Sequence, residues 1–347
     1  MEVPVVYIIF NRPDLVKVSF ETVRAAKPKI LFLLGDGPRA SKPGEGERCE
    51  AARGVVLSRI DWPCDVRSRF AVENLGCRQN ISTGLDWVFS QVDRAVIVED
   101  DCVPQSSFFG FSEELLACYE GDRRVMHIGG FNPLGTVREV KADYFFSKFM
   151  FCWGWATWSD RWLKWRDGME GWRADQRSLT RVIKPLMARF FSYRMQDILA
   201  RRISSWAYQW QVACLLNRGL CIVPSTNMVR NTGFGDIGTH CFGDNPYAGL
   251  PASDIRLPLV YPDEINCDEK LDALIFSRYH TDATREVEIV RGEVWQAWRE
   301  RRWADMWRAY LLGLRLAPVD TGSYRMLGSM AKRIARGALT RFGCSIG

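Results

Sequence analysis

Glu99, Asp100 and Asp101 form an unbroken run of three carboxylates directly after the apolar segment Ala95-Val96-Ile97-Val98. Like charges at the end of a buried strand repel one another and lose hydration, so they need a compensating cation or strong hydrogen bonds. A hard divalent ion such as Mg2+ or Mn2+ suits them, because it takes a few carboxylates and completes its shell with phosphate oxygens and water. The structural alternative is an acidic turn. The buried strand before the triplet and Cys102-Val103-Pro104 after it weigh against that. Arg12, in Phe10-Asn11-Arg12-Pro13, and Asp36, in Gly35-Asp36-Gly37-Pro38, also close apolar runs, though ordinary turn chemistry accounts for either alone. His240, one of three histidines, lies in the Gly-rich stretch NTGFGDIGTH, where a neutral imidazole suits Mn2+ and a surface histidine without a role is the alternative. His127 reads as a core residue, and His280 has no motif around it. Trp153-Gly154-Trp155 opens a tryptophan-rich stretch that reads either as core or as a sugar platform, since indole faces suit the apolar face of a pyranose.

The elements that must position these groups follow from periodicity. Val3–Phe10 and Ile30–Leu34 are β-branched and aromatic runs, the mark of strands buried on both faces. Asp14–Ala26, about Glu47–Ile60 and Asn80–Val92 have helical spacing, with Asp65–Phe70 and Arg94–Val98 as further strands. Alternating strands and helices predict a mostly parallel α/β sheet, in which ligands gather at the carboxyl ends of strands. Arg12, Asp36 and the acidic triplet all fall at such ends. Leu179–Ile203 and Trp206–Asn217 read as helices and Leu220–Val223 as a strand. From about Glu286 the chain changes character. Val294–Leu316, carrying Trp295, Trp298 and Trp307 among Arg299, Arg301, Arg302 and Arg308, reads as one amphipathic helix, and Ser329–Phe342 as a shorter basic one.

A chain of 347 residues with 47% hydrophobic content has ample core for one enlarged domain or two. Its net charge of +6 is too modest for a dedicated nucleic-acid binder and fits an anionic small substrate or a membrane surface. Eleven cysteines, odd in number and without a CxxC pair, favour reduced core thiols and a cytoplasmic setting. No apolar run reaches the ~18–20 residues of a spanning helix.

Beyond the triplet, VIVEDDCVPQSSFFGFSEELLACY and the preceding NLGCRQNISTGLDWVF resemble the nucleotide-diphospho-sugar transferases of the GT-A fold. The nearest likeness is to a bacterial branch related to the N-acetylglucosaminyltransferase I family. The likeness continues through FMFCWGWATWSDRW and SSWAYQWQVACLLNRGLCIVPSTNMVRNTGFG to GTH, about residues 3–245. It implies a catalytic domain over 1–285, with a donor half to about 135 and an acceptor half beyond, and a basic helical extension over 286–347. It implies a metal-dependent inverting transfer of a hexose or amino sugar from a nucleotide-diphosphate donor, with UDP favoured and Mn2+ or Mg2+ as cofactor. Asp101 and His240 would be metal ligands, Asp100 would face the ribose or a metal-bound water, and Glu99 would accept from donor-sugar hydroxyls. Asp36 would read the base edge and Arg12 would lie near base and phosphates. Arg78, Asn80, Trp153, Gly154 and Trp155 would line the donor site. The acceptor would be a glycan or a lipid-linked glycan.

One departure stands out. The resemblance implies an aspartate base after the tryptophan of Ser205-Trp206-Ala207-Tyr208, where this chain has Ala207. An engineered base-deficient variant is the favoured explanation, beside a natural form with another carboxylate and a shifted register. Two rival functions stay open: a sugar nucleotidyltransferase and a non-catalytic nucleotide-sugar binder. The first would want a Gly-rich phosphate loop where this chain has Asn11-Arg12-Pro13; Ala207 favours the second. The arginine-tryptophan helix reads as a partner helix or as a peripheral membrane contact at the inner face.

Overall fold

The computed structural model describes residues 1–175, 177–234, 247–280, 293–294 and 296–316. The chain forms two compact units, Met1–Ile275 and Phe276–Gly347. The first runs β1 (Val5–Ile9), α1 (Pro13–Ala26), β2 (Ile30–Gly35), α2 (Glu45–Leu57), β3 (Asp65–Phe70), α3 (Cys77–Phe89), β4 (Arg94–Glu99), β5 (Cys102–Pro104), α4 (Ser107–Cys118) and β6 (Val125–Gly129). It continues with β7 (Tyr144–Ser147), β8 (Trp155–Trp158), α5 (Ser159–Trp162), α6 (Trp165–Ala174), α7 (Pro185–Leu199), α8 (Ala207–Leu216), β9 (Leu220–Pro224), β10 (Val229–Asn231) and α9 (Glu269–Ile275).

Eight strands form one sheet in the order β3-β2-β1-β4-β8-β6-β9-β7, and β10 pairs with β5 in a second. The first four are mutually parallel. β8 then runs antiparallel to both its neighbours, and β7 antiparallel to β9. The sheet is therefore a large, mixed, Rossmann-like α/β sheet, as the alternation of elements requires. Successive side chains of β1 enter opposite layers: Val5, Tyr7 and Ile9 join the core around Phe20 and Phe108, while Val6 and Ile8 join the one around Leu85, Trp155 and Trp210. That explains the unbroken apolar run: both faces of the strand are covered.

Two expected helices are divided. The stretch expected as Leu179–Ile203 becomes a 3-10 turn, Ser178–Arg181, followed by α7, because Pro185 lacks an N–H and sits naturally in a helix's first turn. The helix expected over Val294–Leu316 is interrupted at Arg301, whose φ of 57° no continuing helix allows, and resumes as Trp303–Leu316. Trp295 and Ser329–Phe342 lie outside the described residues. The described cysteines are free thiols, and no described helix is long and apolar enough to cross a membrane.

Candidate functional site

The strand order has a topological switch: the chain moves from β1 outward through β2 to β3, then returns to place β4 on the other side of β1. A crevice opens at the carboxyl ends of strands at such a point, and ligands use it. Register aligns the ends, pairing Ile9 with Gly35 and Ile8 with Glu99. Arg12 therefore follows β1 directly beside the acidic triplet that follows β4. Its Nη2 donates to Asp100 Oδ1, and its Nη1 lies 3.0 Å from Asp101 Oδ2.

The three carboxylates are not equivalent. Asp100 is 2% exposed and turned inward, with Oδ2 accepting from the Phe10 amide at 3.0 Å and its backbone carbonyl accepting from Ser19 Oγ at 2.8 Å. This corrects the expectation that Asp100 faces a ribose or metal-bound water: it anchors the strand end. Asp101 is partly buried, and among the described residues its Oδ1 meets only the Cys102 thiol, at 3.5 Å. Glu99 is half-buried, and burial first, then Asp101 and Asp100, push its carboxyl up to about 8 against the pull of Arg12. Burial likewise raises Asp100 despite Arg12. Arg12 itself is held above its usual value: burial acts to lower it, and the two aspartates more than offset that. Arg12 thus pairs with two of the three carboxylates, and Glu99 has no ion-pair partner among the described residues.

Antiparallel pairing of β10 with β5 brings a third wall, matching Asn231 with Cys102. The Asp101 carbonyl accepts from the Thr232 amide at 2.8 Å and from Thr232 Oγ1 at 3.1 Å. The Gly233 amide donates to Asn231 Oδ1 at 2.8 Å. A Cβ on Gly233 would collide with the Asp101 carboxylate and reach 2.9 Å from Arg12 Nη1, so any side chain there must displace Asp101. Burial and then the charge of Glu99 raise the thiols of Cys77 and Cys152. Cys77, Cys152 and Ala207 pack against one core layer, and Gly76 faces Ser204 Oγ at 3.9 Å from its would-be Cβ. Ala207 opens α8 and packs, like Cys77 and Cys152, against that core layer.

Asp36 behaves differently from expectation. Its Oδ1 accepts from the Gly37 and Leu75 amides at 2.8 Å each, and its Oδ2 from Asn74 Nδ2 and the Gly76 amide at 3.0 Å each. Four donors of the chain occupy the carboxylate, so it fastens the Asn74–Gly76 turn to β2 rather than offering an edge to a base. Arg78 donates to Gln209 Oε1 at 3.0 Å, linking α3 to α8; burial and then Arg173 lower its guanidinium. Asn80 is buried in the first turns of α3.

Of the tryptophan motif, Trp153 lies against Phe131 and Phe234, with ring centroids 4.2 Å and 5.4 Å away. Phe234 adjoins Gly233, so Trp153 stands near the Asp101 wall. Trp155 is fully buried between His127 and Trp206, which corrects its expected place at the donor sugar. Gly154, expected to pass close to a ligand, instead answers a packing need: its φ is 63° and a Cβ would meet Val229 at 2.9 Å and Phe108 at 3.3 Å. His240 lies outside the described residues.

Sequence reasoning missed Glu45, which is wholly buried and accepts from Asn11 Nδ2 and from the Arg39 amide at 2.7 Å each. Its bonds to Arg39 chiefly hold its carboxyl down at about 2. It fixes the residue before Arg12. A lone Glu beside Gly44 and Gly46 carries no signal of that in the sequence.

Among the described residues no group of three or more His, Cys, Asp and Glu side chains is arranged to hold a metal ion. The donor set still fits one. Mg2+ is usually held by one or two carboxylates with substrate phosphates filling its shell. Asp101, with an oxygen left to a weak thiol contact, and Glu99, short of a counter-charge, are the groups that would hold it.

Neither protein-family models nor curated proteins match the chain. Among solved structures, a UDP-glucose pyrophosphorylase complexed with UDP-glucose aligns with 48% of this chain and 80% of its own, at 8% identity and a TM-score of 0.29. A likeness so distant carries no argument about the site.

Proposed function

We propose that the chain is a metal-dependent glycosyltransferase that takes a hexose or amino sugar from a nucleotide-diphosphate donor, with UDP-sugars favoured, and passes it to a hydroxyl of a glycan or lipid-linked acceptor. One observation carries the reading: at the topological switch point of a Rossmann-like sheet, Arg12 pairs with Asp100 and Asp101, while the adjoining Glu99 has no ion-pair partner among the described residues. A divalent ion supplies the missing positive charge and would stabilise a departing diphosphate. Asp101 and Glu99 would hold that ion, with His240 as a further proposed ligand. Arg12, beside the triplet, would meet donor phosphate oxygens. Gly233 leaves room at the same carboxylate. Asp100 and Asp36 keep the strand ends in place, and Arg78 with Gln209 ties the donor-side helix α3 to α8.

An inverting transfer needs a base to take the acceptor proton. The position where the resemblance implies that base, the first residue of α8, is alanine. That one residue favours a second reading, a nucleotide-sugar-binding protein without turnover. Product analysis separates the two. The chain and its Ala207→Asp variant would be incubated with UDP-hexoses or UDP-N-acetylhexosamines, Mn2+ and a panel of hydroxyl acceptors. A transferase releases free UDP, with the variant faster. Release of pyrophosphate in the presence of a sugar phosphate and nucleotide triphosphate would identify a nucleotidyltransferase instead. Binding without any release from either chain would leave the binder.

A further inference from the structure

The helix Trp303–Leu316 leaves Trp303, Trp307 and Leu311 exposed at 49%, 50% and 56%, while Met306 and Tyr310 are buried. Steps of four residues put the three exposed side chains on one stripe. An exposed stripe of this kind marks an interaction surface. Arg299, Arg301 and Arg308 lie exposed around it, and Arg299 and Arg301 have no carboxylate partner among the described residues.

The sequence concentrates charge at this end. From Arg299 to the C-terminus there are ten Lys and Arg against three Asp and Glu, so the rest of the chain carries none of the net charge of +6. A second copy seated on the stripe would bring these arginines against their own kind, which is unfavourable. An anionic bilayer meets both features: indoles enter the headgroup region, and arginines pair with lipid phosphates. We propose that this helix docks the chain on an anionic membrane surface, lying in the interface with Trp303, Trp307 and Leu311 inserted. The proposal is independent of the chemistry assigned to the acidic site.

Flotation of the full chain with vesicles tests it. Vesicles of phosphatidylcholine with about 30 mol% phosphatidylglycerol should carry the chain, while pure phosphatidylcholine should carry far less. The triple variant Trp303→Ser, Trp307→Ser, Leu311→Ser should lower the bound fraction by about tenfold or more. Arg299→Glu with Arg301→Glu should lower it several-fold. All five side chains are exposed, so unchanged melting of the variants is expected and shows that the fold survives. The idea is overturned if the chain stays with the soluble fraction at every lipid composition, or if the triple variant floats as well as the parent. It is also overturned if the lipid-free chain has a doubled mass that the triple variant abolishes, because the stripe would then be a dimer contact.

Discussion

Two acidic strand ends lie along one edge of the same sheet and are built in opposite ways. After β2, Asp36 receives four hydrogen bonds from Gly37, Asn74, Leu75 and Gly76, so a single carboxylate is fully used by the chain. After β4, Arg12 pairs with Asp100 and Asp101 while Glu99 has no ion-pair partner among the described residues and is pushed up to about 8 by burial and by its acidic neighbours. Buried acids are ordinarily paired or hydrogen-bonded, as Asp36 is. A cluster left short of positive charge costs stability unless something binds there, so under the proposed function the contrast is between a structural acid and a binding one.

Several substitutions break or sharpen that contrast. The largest effect is expected from Ala207→Asp, read as the rate of UDP release with donor and acceptor. A placed base is worth about 10²- to 10⁴-fold, or roughly 3–5 kcal/mol of barrier. The fold should accept it, since a negative charge at the first residue of α8 is favoured by about 0.3–1 kcal/mol. Unchanged turnover with nucleotide still bound would put the base elsewhere.

Next in size is Asp36→Ala, which leaves the Leu75 and Gly76 amides without acceptors. At about 1–3 kcal/mol per unsatisfied group, a loss of roughly 3 kcal/mol is expected in urea unfolding. The folded fraction should still bind UDP with metal. Stability within about 0.5 kcal/mol of the parent with lost nucleotide affinity would make Asp36 a ligand group and erase the contrast.

Gly233→Ala should cost about 1–3 kcal/mol, because its Cβ would press on the Asp101 side chain, 2.8 Å from the Asp101 Cβ, and on Arg12. It should also weaken metal-dependent nucleotide binding, measured by calorimetry, since Asp101 must shift. Normal affinity would remove Gly233 from the site wall.

The smallest effect at neutral pH comes from a buried group outside both acidic strand ends. Burial lowers His127 from 6.5 to about 3. Its Nε2 donates to the Phe151 carbonyl at 3.0 Å while Nδ1 accepts from Trp210 Nε1 at 3.3 Å. The unfolded chain therefore takes up a proton below about 6.5 that the native chain refuses until about 3, and stability falls as pH drops through that window. The same acid loss should appear in Asp36→Ala and Asp101→Ala melts. A slope that vanished in either variant would tie the imidazole to the strand ends.

Much of this was legible in the residues. β-branched runs gave β1, β2 and β4, and their abrupt polar ends placed Arg12 and Glu99-Asp100-Asp101 at one edge, because parallel strands share a direction. The roles of single acids were less legible. Asp36 and Asp101 both follow apolar strands; what distinguishes them is a turn near residue 75 in one case and a glycine at 233 in the other, and such partners are fixed only by tertiary pairing. Trp155 illustrates the same limit. A tryptophan beside glycine reads equally as a sugar platform or as core, and the stacking on His127 and Trp206 decides for core. The interruption at Arg301 has no sequence signal, since arginine is not a residue that favours a left-handed backbone.

The central claim is that the acidic triplet holds metal and nucleotide together. Thermal melting of the chain and of Asp101→Ala, each with UDP, with Mn2+ and with both, tests it most directly. At about 100 times its dissociation constant a ligand stabilises by roughly 2.7 kcal/mol, a shift of degrees. The expected result is a shift in the parent that needs UDP and Mn2+ together and that disappears in Asp101→Ala. An equal shift in both chains, or none with any nucleotide and metal, would contradict it.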